Sequence, residues 1–382
     1  MICMALDALD VQEKHLSQAN ALSPLNPCIP TSLDKTRELL IIYNTHVNTS
    51  SRLESILRVL DHSSIPTSSI IKPATEPTMA SVFRPGALAL ITGSASGVGF
   101  AFAQHCRRQG MHLALIDNNG ASLQKASQLL QSSTSTGSEK PQTLTYEMDV
   151  SDLSAWSKVH SDLSSKFSTI DLLMLNAGMS IKTSSPWADA EYFHKTFNVN
   201  FFGMVHGLAT FLPMVQKSTG PSAVVFTGSK QGITNPPGNP AYNATKSAVK
   251  TVAEQLAYDL RTKSSSVYAP QVSVHLLVPG WTFTGLSGNQ GPVPDEETLS
   301  KKPRGAWLAS QVCEYGVKKM VDGQFYIICP DTDVDEALDQ ARMTWGAGDV
   351  TEGRSALSRW DDSVKEEAAE WIGKEAARRR GE

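Results

Sequence analysis

From residue 87 onward, short apolar runs alternate with longer stretches of helical character. The runs at 87–92, 112–116, 143–148, 172–175, 223–227, 272–278 and 325–329 are rich in Val, Ile and Leu and show little polar alternation. That pattern predicts strands covered on both faces. Segments of ten or more residues, long enough for helices, separate most of them. Strands and helices in alternation predict βαβ units, and so an α/β fold with one parallel sheet and helices on both sides.

The first 80 residues read differently. Ser63, Ser64, Pro66, Thr67, Ser68, Ser69, Pro73, Pro77 and Thr78 crowd the stretch 61–80. Such a composition buries little apolar surface and reads as a linker or a low-order arm. A short helix is expected over 51–60, where Leu53, Ile56, Leu57 and Leu60 share a face. The functional domain is expected to begin near Met79, with the preceding 78 residues an appendage or an extension of the gene model. The polar stretch 131–142 reads as a surface loop, and 333–382 as one or two polar helices, one of them covering 363–377.

Composition narrows the function classes. The 382 residues are 41% apolar, enough for a large core. Charged residues make up 19% and the net charge is −4, which argues against a nucleic-acid partner, whose footprint is a basic surplus. The run Arg378, Arg379, Arg380 beside Glu375 and Glu382 reads as a solvated tail. The five cysteines (Cys3, Cys28, Cys106, Cys313 and Cys329) are odd in number and lack CxxC or Cys/His spacing. Neither a disulfide framework nor a zinc site is expected, and a reducing, cytoplasmic location fits. No apolar run reaches membrane-spanning length, and the early acids Asp7, Asp10 and Glu13 do not suit a signal peptide. The nine histidines show no ligand spacing such as HExxH, so no metal is expected, and His194 and His206 are assigned to packing or surface.

Two stretches carry candidate chemistry. The first strand runs into Thr92-Gly93-Ser94-Ala95-Ser96-Gly97-Val98-Gly99. Glycines allow a sharp strand-to-helix turn and the approach of a pyrophosphate, to which the helix N-terminus offers free N–H groups. By itself such a turn is also an ordinary βα connection. Asp117 ends the second strand, eighteen residues after Gly99. A carboxylate there accepts ribose hydroxyls and repels a 2′-phosphate, which favours NAD over NADP; the alternative is a loop cap. Asp149 and Val150 stand where an adenine would lie, and Asp149 would also cap a helix starting at Ser151. Asn176, Ala177 and Gly178 end the fourth strand at the expected switch point of the sheet, though this triplet is a common turn.

Farther along, Tyr242 and Lys246 stand four apart in a helical stretch and so share a face. A free tyrosine titrates near pH ~10, and a lysine ammonium one turn away favours its phenolate and lowers that value. The same ammonium suits a nicotinamide ribose. Ser229, thirteen residues before Tyr242, can donate to a substrate oxygen while the tyrosine passes a proton. A YxxxK pair alone would be a surface pair; the serine and the upstream glycine turn change its meaning.

Taken in order, TGSASGVG, DV, NAG, NVN, Ser229, YNATK and PGWTFTG resemble the short-chain dehydrogenase/reductases, in the compact branch with a TGxxxGxG turn, over about residues 83–330. The resemblance implies a Rossmann-fold sheet in the order 3-2-1-4-5-6-7 and an NAD(P)-dependent oxidoreductase acting on a secondary alcohol or ketone. It also implies a dimer or tetramer. It makes Asn200 a fourth catalytic residue, holding a water that links Lys246 to solvent; on its own Asn200 reads as a polar group inside a helix. It places Pro279, Gly280, Thr282 and Thr284 beside the carboxamide and phosphates. The domain plan is then an extension over 1–80, a catalytic domain over 81–332 and a helical extension over 333–382 that caps the pocket, mediates assembly or covers the sheet.

The stretch 284–307, rich in Gly and Pro, lies where the family has its substrate lid. Trp281, Phe283, Trp307 and Leu308 are expected to supply an apolar wall, with Trp187 and Gln231 facing the pocket, which leans the substrate towards apolar or aromatic. The competing readings are an NADP-linked carbonyl reductase on the same fold and a non-enzymatic dinucleotide-binding regulator.

Overall fold

The computed structural model describes residues 82–132, 140–289 and 291–382. The expectations for the N-terminal extension, its helix over 51–60 and the start at Met79 lie outside the described residues, as does most of the loop 131–142.

The apolar runs form seven strands: β1 (Leu88–Thr92), β2 (His112–Asp117), β3 (Thr143–Glu147), β4 (Leu172–Leu175), β5 (Ser222–Thr227), β6 (Val272–Val278) and β7 (Tyr326–Ile328). All pair in parallel, in the order β3-β2-β1-β4-β5-β6-β7. Successive side chains of a strand point to opposite faces, and in β1 both sets are buried. Ala89 and Ile91 join a core with Phe102, Leu123 and Val312, whereas Leu88 and Leu90 join one with Trp156, Phe211 and Leu256. A strand buried on both sides has no polar positions to spare, hence the unbroken apolar runs. β3 departs from that expectation. It is an edge strand, and Thr145 and Glu147 are exposed while Leu144 and Tyr146 pack inward.

The helices are α1 (Gly97–Arg108), α2 (Gly120–Ser132), α3 (Leu153–Ser164), α4 (Ala190–Phe197), α5 (Gly203–Gln216), α6 (Gln231–Thr234), α7 (Pro240–Arg261), α8 (Asp295–Leu299), α9 (Ala309–Val321), α10 (Glu336–Thr351) and α11 (Lys365–Arg380). α1, α2 and α9 cover one face of the sheet, and α3, α5 and α7 the other. A π-helical turn, Asn198–Phe202, joins α4 to α5. Such one-turn bulges re-aim a side chain within a helix, and here the buried member is Asn200.

α10 and α11 form a helical pair with a small core of its own, made of Ala341, Trp345, Ala368, Ile372 and Ala376. The arginine run at its end is less free than the sequence suggests. Arg380 pairs with Asp335, and Arg379 reaches Gln340 and Thr344, so these side chains tie α11 to α10.

On the α3 side, Trp156 is fully buried, its Nε1 donates to the Val150 carbonyl at 2.8 Å, and its ring meets Phe211 at 6.0 Å. Trp156→Ala removes that packing and leaves the Val150 carbonyl without its donor. We expect a loss of about 3–5 kcal/mol of unfolding free energy in urea denaturation; a loss under about 1 kcal/mol would contradict this placement.

Candidate active site

The strand order reverses between β1 and β4, which opens a crevice at the carboxyl ends of the sheet. A cavity of about 930 Å³ occupies it. Asn176 ties the crevice together. Its Nδ2 donates to the carbonyls of Thr92 (3.0 Å) and Gly93 (3.2 Å), and its Oδ1 accepts from Thr227 Oγ1 (3.0 Å). The Thr92 hydroxyl in turn accepts from the backbone N–H groups of Asn176 and Ala177. The carboxyl ends of β1, β4 and β5 are thus joined through one side chain.

At the glycine turn, Gly93 has φ +63°, and a Cβ there would stand 2.9 Å from the Ala177 Cα. A Cβ on Gly99 would stand 2.2 Å from the Gly93 carbonyl oxygen. Only glycine permits this tight a seat for α1 against β1. Ser96, Gly97 and Val98 line the cavity at the start of α1, whereas Gly99 lies beneath it. No side chain caps this helix start, so its first N–H groups remain available to an anion.

Asp117 also lines the cavity. Its carboxylate accepts from the backbone N–H groups of Ala95 and Asn119, each at 3.0 Å. These bonds fix its orientation and use only part of its acceptor capacity. Asp149 and Val150 line the adjoining wall. Asp149 accepts from Ser151 N and Oγ, but the cap of α3 is Asp152, which accepts from Ser154 N at 2.8 Å.

At the other end, Ser229, Tyr242 and Lys246 come together on the cavity wall. The Ser229 hydroxyl lies close enough to the Tyr242 phenol to favour its phenolate. The Lys246 ammonium lies 5.7 Å from the centre of the Tyr242 ring and donates to the Thr227 carbonyl at 2.8 Å. Asn200 sits just behind. It accepts from Met179 N (2.7 Å) and donates to Met179 O (2.9 Å), and a Cβ on Gly178 would stand 3.4 Å from its Oδ1 and 3.5 Å from Lys246 Nζ.

The electrostatics correct one expectation. Burial pushes the Tyr242 phenol above its ordinary value rather than below it, and the downward pull comes from Ser229. Burial also holds the Lys246 ammonium down to about 8. The expectation treated the lysine as a full charge in open water; in place, it is desolvated and turned towards the Thr227 carbonyl.

Pro279, Gly280, Trp281, Thr282 and Thr284 line the cavity beyond Lys246, as does Gln231. Phe283 and Trp307 do not line it. Phe283 points to the α1 side, near Phe100 and Ala101, and Trp307 packs into the core against Tyr315. Leu308 is buried. Trp187 is 81% exposed, and its ring lies 6.0 Å from that of Phe193. The stretch after β6 is partly ordered as a turn at Gly285–Ser287 and the short helix α8. His194 is exposed, and His206 stacks on Phe202. Sequence reasoning missed Met179, Ser180, Lys230 and Leu286 as cavity-lining residues. Adjacency to Gly178, Ser229 and Thr284 was the available signal.

Comparison with known proteins agrees with this fold. A family model described as short chain dehydrogenase matches residues 87–293. A cis-2,3-dihydrobiphenyl-2,3-diol dehydrogenase of Pseudomonas sp. (strain KKS102) is 31% identical over 58% of this chain and 76% of that protein. A 3-ketodihydrosphingosine reductase of Bos taurus is 28% identical over 63% of this chain and 70% of that one. Among solved structures, a short chain dehydrogenase/reductase from Burkholderia phymatum in complex with NAD superposes with a TM-score of 0.59 at 25% identity, covering 71% of this chain and 96% of that chain.

The depressed Lys246 value has a stability consequence. Below pH 8 the lysine is charged in both folded and unfolded chains, and folding carries the full cost of burying that charge. Above about 8 the folded chain sheds the proton while the unfolded chain keeps it until near 10.5, so the cost fades as pH rises. Lys246→Met should therefore gain relative to wild type at low pH by more than at high pH. Over this window the change is about 3 kcal/mol, at about 1.4 kcal/mol per unit. Urea denaturation of both proteins between pH 7 and 10 reads the slope; parallel curves would refute it.

Proposed function

The chain belongs to the short-chain dehydrogenase family, and on that footing we propose that it is a nicotinamide-dependent oxidoreductase interconverting a secondary alcohol and a ketone. A nicotinamide dinucleotide bound in the cavity would accept or supply the hydride. The glycine seat that any Cβ would fill, the uncapped start of α1 and the volume of the cavity fit such a group. Gly93, Ser96, Gly97 and Val98 would hold its pyrophosphate, Asp117 the adenosine ribose, and Asp149 and Val150 the adenine. Asn176, Ala177 and Gly178 give it passage across the sheet edge. Lys246 and Tyr242 would hold the nicotinamide ribose, and Pro279, Gly280, Thr282 and Thr284 the carboxamide and phosphates.

The observation that carries the reading is the convergence of Ser229, Tyr242 and Lys246 on the cavity wall, with the Lys246 ammonium 5.7 Å from the Tyr242 ring. Ser229 donates to the substrate oxygen. Tyr242 gives its proton to that oxygen in reduction and takes it back in oxidation. A phenol raised by burial holds its proton at neutrality, which suits the donor role. Asn200 and Lys246 flank Gly178, the arrangement needed for a water between them to return protons from solvent.

Trp281 and Leu286, both about half exposed, give the open end of the cavity an apolar rim, and Met179 adds to it. The relatives named for a dihydrobiphenyl diol and a ketodihydrosphingosine take apolar molecules by name. Both support an apolar or aromatic alcohol or ketone. The held Asp117 carboxylate favours NAD.

Two experiments test this. Tyr242→Phe should cut kcat by about a hundred- to ten-thousandfold on a panel of apolar ketones and alcohols, with the Kd for NADH, read by fluorescence, within twofold of wild type; full activity would remove Tyr242 as the proton donor. Asp117→Ala removes a charged acceptor worth about 1.5–3 kcal/mol. The NAD-over-NADP ratio of kcat/KM should then fall by about ten- to a hundredfold, and an unchanged ratio would show that Asp117 does not read the ribose.

A further inference from the structure

Lys230 follows Ser229 directly and lines the cavity, yet its side chain is only 14% exposed. Its ammonium faces two carboxylates, Asp331 Oδ2 at 3.3 Å and Asp339 Oδ2 at 2.5 Å. Asp331 lies just beyond β7. It also accepts from the backbone N–H of Trp281 at 3.3 Å and from that of Asp333 at 3.2 Å. Asp339 belongs to α10, outside the segment that the family model matches, and is 2% exposed. A Cβ on Gly280 would stand 2.8 Å from Asp331 Oδ2 and 2.9 Å from Lys230 Nζ. One ammonium therefore joins four pieces of chain: the exit of β5 with Ser229, the turn after β6 with Gly280 and Trp281, the exit of β7, and α10.

Such a cluster is a poor way to gain stability. Taking two carboxylates and an ammonium out of water costs several kcal/mol per ion, and apolar residues of similar volume often serve as well or better. Its worth lies in direction, because an ion triad has few geometries. Arg342 and Arg359 add positive charge around Asp339 without displacing Lys230 from it.

We propose that Asp339 is a positioning residue supplied by the C-terminal helical pair: it holds Lys230, and through Lys230 and Asp331 it fixes the Ser229 segment and the Gly280–Trp281 peptide on the substrate side of the cavity. The kinetic part of this rests on the functional reading above; the positional part does not. α10 is then a working part of the site, and its contact with α6, the helix that follows Lys230, is the route.

The test uses the full chain as wild type, Asp339→Asn, Asp339→Glu, Lys230→Met and the Asp339→Asn/Lys230→Met double variant. In a crystal structure of Asp339→Asn, the Gly280–Trp281 peptide and the Ser229 hydroxyl should be displaced while the glycine turn at Gly93–Gly99 stays in place. In kinetics, Asp339→Asn should lower kcat at least tenfold with the Kd for NADH within twofold of wild type, and Asp339→Glu should recover part of the loss. The double variant should be no slower than the slower single one, since groups acting as a unit are broken once. An unmoved peptide and serine in Asp339→Asn overturns the proposal. So does a kcat loss that merely follows the drop in denaturation midpoint across all four variants. If the wild type binds NADH but turns over no member of the panel, the functional reading fails, and the crystal structure still decides the positional claim.

Discussion

The carboxyl edge of the sheet depends on Asn176. A parallel sheet ends in loops that diverge, and nothing in the strands themselves fixes how the loops after β1, β4 and β5 lie against one another. Asn176 does so with three hydrogen bonds, two from its amide to the Thr92 and Gly93 carbonyls and one accepted from Thr227. An amide is suited to this because it donates and accepts at once, whereas a carboxylate at the same place would face two carbonyls without a proton to give. The consequence reaches both ends of the cavity. Gly93 begins the turn that seats α1, and the Thr227 carbonyl receives the Lys246 ammonium. The nucleotide end and the chemical end therefore share one fixed point.

Burial decides the electrostatics of the chemical end. The simple picture, in which an ammonium one helical turn from a phenol lowers its pKa, holds when both groups are charged and face each other. Here both are desolvated. Burial disfavours the phenolate and the ammonium alike, raising one value and lowering the other. The neighbouring Ser229 hydroxyl supplies the downward influence on Tyr242, and the lysine stands behind the pair.

What could be read from the sequence follows from the range of each interaction. The strands were legible because burial on both faces leaves an unbroken apolar run, and β3 misled only because an edge strand has one exposed side. Tyr242 and Lys246 were legible because helical geometry carries information over four residues, and the glycine turn because a clash between Gly99 and Gly93 is local. Phe283 and Trp307 were misread because aromatic content says nothing about side. The chain after β6 is extended and bridged to Trp307, so alternate residues face opposite ways: Thr282 and Thr284 towards the cavity, Phe283 away from it. Lys230 was invisible as a hub because its partners Asp331 and Asp339 stand more than a hundred residues later in the chain.

That last distance bears on how the two ends of the cavity differ. The nucleotide end is built from contacts within the matched segment: Asp117 with Ala95, Gly99 with Gly93, Asn176 with Thr92. In the proposed function these parts would meet the dinucleotide, which need not change with the substrate. The substrate end takes partners from outside that segment, from Asp331 and from α10. A wall held by an added helix can be reshaped by changes in that helix while the seat of α1 keeps its own supports. The division of labour lies in where the supporting residues come from: local contacts hold the seat of α1, and the long-range ion triad holds the Ser229 segment and the Gly280–Trp281 peptide.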